Sequence, residues 1–367
     1  MGFSKFFGFL GNWRTAFSGR RILGVDIGTV SLKAIELEQR GKDLVMSNYG
    51  LLETTGYLVR SNEALQTSSL KIVEKEVAEK LKTLLREMKP KTQQAIGAVP
   101  VFSVFSTTLE VPFLDYKETA KIVNFQAKQY LPVPVSEMTL DWWRTAEFEN
   151  QRGQRFQRVF IAAIPREVIE RYRRIFRLAG LRLTALEMES AALNRVFGSA
   201  AGGPAAIVDI GAESTAVAIS ENGELKHSSQ FDYGGLSLTY AVARSLDITN
   251  KRAEELKKRR GLAGAGGEYE LSTSLIPFLD VIIQEVRRAC EVYEKTYGKK
   301  VERLFLVGGG ANMNGINDYF GQQLGVRTAD PLIFSNIKYD SSLEPIVRQL
   351  NREFAVSAGL ALKYFQV

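Results

Sequence analysis

Two segments of the sequence run an apolar strand directly into an acidic glycine turn. The first is ILGVDIGTVSLKAIELE, where Asp26 precedes Gly28, and the second is AAIVDIGAESTAVAIS, where Asp209 precedes Gly211. Glycine lets the backbone approach a phosphate closely, and successive amide N–H groups in such a turn form an anion-binding nest. An aspartate at a strand end suits Mg²⁺, which takes few carboxylates and keeps most of its waters. The pair of turns therefore predicts two devices for a magnesium-bound polyphosphate.

Each turn alone is better explained as an ordinary strand ending, so the prediction of a phosphate site depends on their repetition. The two aspartates are 183 residues apart (209 − 26), and both copies continue as strand, tight turn and third strand before a helix. Self-similarity over a whole run of elements indicates a duplicated fold rather than chance reuse of a tripeptide. Lys33, on the strand after the first turn, is placed to neutralise a phosphate. Two facing copies would grip one polyphosphate and its metal from both sides.

The order of elements predicts an α/β protein of two lobes with an insertion. Apolar periodicity between the two copies reads as a compact β-α-β-β-α unit. The expected organisation is an N-terminal segment of residues 1–20, a first lobe of residues 21–100 completed by 185–204 and a C-terminal helix at 352–367, an inserted subdomain of residues 101–184, and a second lobe of residues 205–351.

Composition excludes several classes of site. The 367 residues include one cysteine and one histidine, so an intramolecular disulfide is impossible, and a structural zinc site or a cysteine–histidine nucleophile is not expected. The net charge of +7 is concentrated near the N-terminus and in a helical stretch at 166–182. Such positive fields attract anions, but no nucleic-acid motif accompanies them, so no specific nucleic acid is expected.

The first twenty residues are basic and amphipathic. Aromatic and aliphatic side chains recur there at roughly helical spacing, with glycines between them and no acidic residue. A basic amphipathic stretch of this kind can lie on a membrane surface. A flexible tail or a segment that packs on the protein itself explains the same pattern, and the sequence leaves both interpretations open.

The order of motifs resembles a known superfamily. Asp26-Ile-Gly28-Thr29, Asp209-Ile-Gly211, Glu254 to Lys257 and Gly308-Gly309-Gly310 follow one another as in the ATP-binding superfamily of actin, heat-shock chaperones and sugar kinases. The stretches FQAKQYLPVPVSEMTLDWW and GLRLTALEMESAALNR are similar to PilM, the actin-like family of type IV pilus assembly. The cell-division protein FtsA shares the plan. The resemblance covers about Arg21 to the C-terminus and implies duplicated ribonuclease-H-like lobes around a nucleotide cleft.

The resemblance implies a role for each motif in binding ATP and Mg²⁺. Asp26 and Asp209 would hold the metal, and Glu213 would join them as a third carboxylate near the γ-phosphate, where it could position water or repel phosphate. The remaining implied nucleotide-binding residues are Gly28, Thr29, Val30 and Lys33 in the first turn, Gly211, Ser214 and Thr215 in the second, Gly234 and Gly235, then Glu254, Lys257 and Lys258 beside ribose and adenine, and Gly308, Gly309, Gly310 and Asn312 against the nucleoside. For Glu254 and its lysines a solvated helix face is the alternative.

The resemblance also implies partners and a place in the cell. It indicates an assembly platform at the cytoplasmic face of the bacterial inner membrane that docks the N-terminal cytoplasmic tail of a PilN-like protein, with other pilus-assembly proteins and self-association as further interactions. The inserted subdomain would help to form the groove, aided by the basic helix at 166–182 or by Trp142 and Trp143. No activated base is evident, so slow ATP hydrolysis at most is expected. The alternatives are an FtsA-like filament protein and a small-molecule kinase.

Overall fold

The computed structural model describes residues 20–54, 74–198, 202–262 and 269–365 of the chain. The chain divides into two compact units: unit 1 comprises Met1–Ala192 with Val356–Val367, and unit 2 comprises Leu193–Ala355. The expected amphipathic segment at residues 1–20 lies outside the described residues except for Arg20. Among the described residues, no helix has the length and apolar character needed to cross a membrane.

The elements follow the predicted order along the chain. Up to the boundary between the units they are β1 (Arg21–Ile27), β2 (Ser31–Arg40), β3 (Asp43–Glu53), α1 (Glu74–Met88), β4 (Gln94–Val99), β5 (Phe105–Pro112), α2 (Tyr116–Ala127), β6 (Met138–Glu149), β7 (Arg155–Pro165), α3 (Arg166–Leu178), β8 (Arg182–Met188) and α4 (Glu189–Phe197). Then follow β9 (Ala205–Ile210), β10 (Thr215–Glu221), β11 (Glu224–Phe231), α5 (Gly235–Ser245), α6 (Asn250–Arg260), α7 (Tyr269–Tyr297), β12 (Arg303–Val307), α8 (Ile316–Leu324), β13 (Arg327–Ala329), β14 (Ile337–Lys338), α9 (Val347–Glu353) and α10 (Ala355–Lys363).

Unit 1 is built on a sheet whose strands lie in the order β3-β2-β1-β4-β8. β1 pairs antiparallel with β2 and parallel with β4, and this central place explains why six of its seven residues are buried. The C-terminal helix α10 packs directly on β1 at Gly24. A methyl group at Gly24 would lie 1.9 Å from the carbonyl oxygen of Ser357, so only glycine permits this contact.

Unit 2 repeats this layout with the strand order β11-β10-β9-β12-β13. β9 pairs antiparallel with β10 and parallel with β12, as β1 does with β2 and β4. The long helix α7 covers the sheet with fully buried residues at helical spacing, among them Leu275, Leu279, Ile282 and Val286. The predicted α/β fold with two duplicated lobes is confirmed by these two sheets of equal strand order.

The inserted elements form a small antiparallel sheet in the order β5-β7-β6, with α2 packed on it. Trp142 lies in the core of this sheet and stacks on Tyr116, and Trp143 stacks on Phe160. The two tryptophans are only 8% and 6% exposed. Neighbouring residues of a strand point to opposite faces, and both positions are buried here. The pair therefore offers little surface to a partner, contrary to the interpretation given above.

The basic helix α3 follows the inserted sheet in sequence but packs on the first lobe. The guanidinium of Arg174 donates to both carboxylate oxygens of Glu74 on α1, at 2.9 and 2.7 Å. On the buried face of α3, Phe176 fills the space above Gly97 of β4. α3 thus ties the inserted sheet to α1 and β4, and several of its arginines are already neutralised by carboxylates within the chain.

Candidate functional site

The first acidic glycine turn connects β1 to β2 in unit 1. The amide of Gly28 donates to the carbonyl oxygen of Ser31 at 3.0 Å and closes the turn over Thr29 and Val30. The β1–β2 register places Lys33 opposite Asp26, with the ammonium 3.6 Å from the carboxylate. Burial raises the pKa of Asp26, and the nearby ammonium of Lys33 only partly offsets that effect. The carboxylate therefore sits where additional positive charge is favourable.

The second turn reproduces the geometry of the first in unit 2. The amide of Gly211 donates to the carbonyl oxygen of Ser214, again at 3.0 Å, and closes the turn over Ala212 and Glu213. A methyl group at Gly211 would lie 2.9 Å from that same oxygen, so the closure requires glycine. Both predicted turns thus close with the same backbone hydrogen bond, as expected for a duplicated strand–turn–strand.

The side chains around the second turn differ from those around the first. The β9–β10 register places Ala216 opposite Asp209, where the first turn has Lys33. Thr215 is buried, and its hydroxyl donates to the carbonyl oxygen of Tyr233 at 2.7 Å. That hydroxyl is therefore used inside unit 2, whereas Glu213 and Ser214 are half-buried at the turn itself.

Gly234 and Gly235 pack against the backbone of the second turn. The amide of Gly235 donates to the carbonyl oxygen of Gly211 at 2.9 Å, and the next amide in α5, that of Leu236, donates to Ala212 at 2.8 Å. A methyl group at Gly234 would lie 2.6 Å from the carbonyl oxygen of Ala212. The predicted glycine pair is thus buried against the second turn and hydrogen-bonded to it at the start of α5.

Lys257 of α6 is buried and contacts the backbone of the glycine pair at Gly235. Its ammonium donates to the carbonyl oxygen of Gly235 at 2.7 Å and to the Thr239 hydroxyl at 2.8 Å, and it lies 2.6 Å from the Glu254 carboxylate. Three acceptors match its three protons, and burial lowers the pKa of Lys257. Lys257 therefore acts on the glycine pair, while Glu254 and the exposed Lys258 lie closer to solvent.

The charge of Glu254 is set by two opposing effects. Burial works to raise its pKa, but the ammonium of Lys257 and the Thr239 hydroxyl favour the ionised form and hold the pKa below its usual value. The carboxylate is a third exposed. Of the three α6 residues predicted beside ribose and adenine, Glu254 and Lys258 thus have solvent-facing atoms, and Lys257 has few.

The triple-glycine turn after β12 closes around the end of β9. Gly308 has a φ of 84°, and a methyl group there would lie 2.2 Å from a carboxylate oxygen of Asp209. A methyl group at Gly310 would lie 2.4 Å from the Ile210 side chain, whereas Gly309 has nothing within 4 Å of such a group. Gly308 and Gly310 must therefore be glycine because atoms of Asp209 and Ile210 lie close to them, whereas Gly309 faces open space.

Unit 2 thus brings together most of the residues predicted for it. Asp209, Gly211, Gly234, Gly235, Gly308 and Gly310 lie in mutual contact through the second turn and the end of β9. Sequence reasoning missed Thr239, which links Lys257 to Glu254 and stands one helical turn after Gly235. It also missed Arg352 and Glu353 of α9, which contact the glycine turn and for which no local pattern exists.

The chain is similar to known proteins over nearly its whole length. The family model described as "Type IV pilus assembly protein PilM" matches residues 24–365. A solved structure titled "PilM-PilN type IV pilus biogenesis complex" superposes with a TM-score of 0.77 at 24% identity and covers 94% of this chain and 98% of that chain.

More distant solved structures share the fold. The ethanolamine utilization protein EutJ from Carboxydothermus hydrogenoformans has a TM-score of 0.55 at 17% identity, covering 94% of this chain and 90% of that one. MreB 5 of Spiroplasma citri bound to AMPPNP has a TM-score of 0.52 at 16% identity, covering 94% and 95%. The two sheets of equal order, the paired acidic glycine turns and the family match together show that the chain belongs to the PilM family of type IV pilus assembly proteins.

Proposed function

We propose that this chain binds Mg·ATP through its two acidic glycine turns and uses the nucleotide to control docking of the cytoplasmic tail of a PilN-like protein. The proposal of nucleotide binding depends on one repeated observation. In each turn a glycine amide, that of Gly28 or Gly211, donates to the carbonyl oxygen of a serine three residues later, directly after an aspartate near the end of a strand. The proposal of a PilN-like partner is supported by the similar solved structure, which is a PilM–PilN complex.

The residues present suit the nucleotide and its metal. Gly28 and Gly211 are partly exposed and carry no side chain, so their backbone could be approached closely by a polyphosphate, while Gly234 and Gly235 are buried behind the second turn. Asp26 lies in surroundings where burial disfavours an isolated negative charge, so a divalent cation beside it would be favourable. Asp26 and Asp209 would hold Mg²⁺, whose role when bound is to neutralise phosphate charge. Lys33, opposite Asp26 on β2, would add a positive charge beside the phosphates.

The remaining residues would position the nucleoside. Gly309 is exposed and open, so the triple-glycine turn could lie flat against a base or ribose. Glu254 and Lys258 would border the ribose, with Lys257 holding the Gly235 backbone. MreB 5 of Spiroplasma citri, which has this fold, is titled as bound to AMPPNP, an ATP analogue. Glu213 would stand near the terminal phosphate, and with no activated base evident we propose slow hydrolysis at most.

Removing the Asp26 charge tests the nucleotide half. Asp26→Asn should weaken Mg·ATP binding by about 1–3 kcal/mol, because charged hydrogen-bonding groups lose their partner. That loss corresponds to about five- to 150-fold in Kd and is measured by calorimetric titration. The matched control is Glu187→Gln, which removes a carboxylate from a similarly buried pair with Lys363 in unit 1. Equal ATP affinity in folded Asp26→Asn and wild type would show that the first turn does not hold the nucleotide.

Capture from membranes tests the partner half. The purified chain, immobilised, should retain a PilN-like inner-membrane protein from detergent extracts, and the retained amount should change between Mg·ATP, Mg·ADP and nucleotide-free buffer. A nucleotide can shift docking only by its different affinity for the two states, so the tail should change nucleotide affinity by the same factor. Retention that is equal in all three buffers would contradict nucleotide control while leaving the docking role intact.

A further inference from the structure

The triple-glycine turn is held from behind by the last residues of α9. The amide of Gly308 donates to the carbonyl oxygen of Arg352 at 2.9 Å, and the guanidinium of Arg352 donates back to the carbonyl oxygen of Ala311. At the far end of the turn, the side-chain amide of Asn312 donates to the Glu353 carboxylate at 2.8 Å. Two consecutive residues of α9 thus contact both ends of the turn.

The Arg352 guanidinium is unusual because it is buried with little compensation. Arg352 is 5% exposed, and burial lowers its pKa. The carboxylate of Asp330 lies 3.8 Å away but is itself 60% exposed, and the Arg352 Nε has no hydrogen-bond partner among the described residues. Burying a charge is costly unless an ion pair and hydrogen bonds offset the lost hydration, and here both are incomplete. The guanidinium donates to the glycine turn, at the carbonyl oxygen of Ala311.

The part of α9 that carries this pair is itself anchored. The carbonyl oxygen of the Asn351 side chain accepts the amide of Ile333 at 2.7 Å and that of Phe334 at 3.2 Å, and Asn351 is buried. α9 is therefore a fixed support and not a mobile end. A run of three glycines gains conformational freedom whenever its contacts are lost, so a fixed support determines the shape of the turn.

We propose that Arg352 and Glu353 are positioning residues that hold the triple-glycine turn in the shape that receives the nucleoside. The proposal rests on the Mg·ATP binding proposed above and adds residues that touch no ligand. A turn already fixed before binding loses little conformational entropy when the nucleotide arrives. The polar contacts from α9 to Ala311 and Asn312 supply that fixation, while Gly309 stays open for the ligand.

Neutralising the guanidinium tests the proposal. Arg352→Met keeps the length of the side chain and removes its donors, and we expect about tenfold weaker binding, the equivalent of one charge-assisted hydrogen bond. ATP and ADP should lose the same factor, because they share the nucleoside; displacement of a fluorescent nucleotide measures both. The matched control is Arg348→Met, which removes an exposed charge from the same helix and should leave both affinities unchanged.

A second pair of variants separates positioning from general stability. Glu353→Gln retains a side-chain carbonyl to accept the Asn312 amide and should bind nucleotide within about twofold of wild type, whereas Glu353→Met removes the acceptor and should weaken ATP and ADP alike. Both are measured far below the thermal transition, where either variant is folded. Glu353 is half-buried, so this pair tests the proposal even if Arg352→Met fails to fold.

The outcomes distinguish the two proposals. If wild type binds both nucleotides and neither Arg352→Met nor Glu353→Met weakens them, the positioning role is wrong and the nucleotide site stands. If Glu353→Gln loses as much affinity as Glu353→Met, the acceptor role of the carbonyl is wrong. If wild type binds neither ATP nor ADP, the proposed nucleotide function is overturned together with the role of α9.

Discussion

Gly308→Ala is expected to destabilise unit 2 by about 2–6 kcal/mol and to abolish nucleotide binding. The φ of 84° is costly for any residue with a Cβ, by about 1–3 kcal/mol. The added methyl group would also lie 2.2 Å from the Asp209 carboxylate and 2.6 Å from the carbonyl oxygen of Ile210. Overpacking of this kind costs about a further 1–3 kcal/mol. Relief of the clash would move Asp209, one of the two proposed metal-holding groups.

Gly309→Ala is the matched control for Gly308→Ala, one residue further along the same turn. Gly309 has an ordinary φ and nothing within 4 Å of an added methyl group, so its stability should stay within about 0.5 kcal/mol of wild type. Hydrogen exchange of peptides from β9 and β12 measures the effect, since the two tryptophans that the structure describes, Trp142 and Trp143, lie in unit 1. Equal protection in the two variants would contradict the steric argument.

Gly24→Ala is expected to destabilise unit 1 by about 3 kcal/mol or more. The added methyl group would lie 1.9 Å from the carbonyl oxygen of Ser357 and 2.8 Å from the amide of Ala361, and both are backbone atoms of α10 that no rotamer change can move. Either the helix shifts off β1 or the central strand bends, and both reduce buried apolar contact. Chemical unfolding followed by the fluorescence of Trp142 and Trp143, in the inserted sheet of unit 1, measures the loss.

The control for Gly24→Ala is Gly41→Ala, in the β2–β3 turn of the same unit. Gly41 has a φ of 63° but open space around it, so this variant should lose only the conformational term, about 1 kcal/mol. A smaller loss for Gly24→Ala than for Gly41→Ala would mean that α10 yields easily and that the approach at Gly24 does not limit packing.

The fold could be predicted because its signals are local and repeated. Each signal constrains only a few neighbouring residues: the apolar runs before Asp26 and Asp209, the glycine turns and the tight hairpins. The second copy, 183 residues away, repeats the same signals and so supports the prediction twice.

The bounds of the C-terminal helix were predicted less accurately. A single helix at 352–367 was expected, whereas α9 ends at Glu353 and α10 begins at Ala355. Pattern identifies a helix more reliably than its ends.

The parts of the site that escaped prediction depend on long-range geometry. Trp142 and Trp143 were considered for a partner groove, but the sequence does not show that both faces of β6 are covered at those positions. Lys257 was expected beside the nucleotide, and only the structure shows its three protons engaged within unit 2. Arg352 lies some forty residues beyond the turn it contacts, and no spacing rule joins the two.

The contact between Gly24 and α10 has a consequence for synthesis of the chain. The strand β1 is translated about 330 residues before the helix that covers it, and unit 2 lies entirely between them. At synthesis rates of about 5–20 residues per second, β1 exists for roughly 15 to 70 seconds before that helix has been made. Unit 2 is complete only at Ala355, where α10 begins, so it gives β1 no earlier substitute for that helix. Nascent-chain truncations should therefore show the sheet around β1 becoming protease-resistant only when α10 is included.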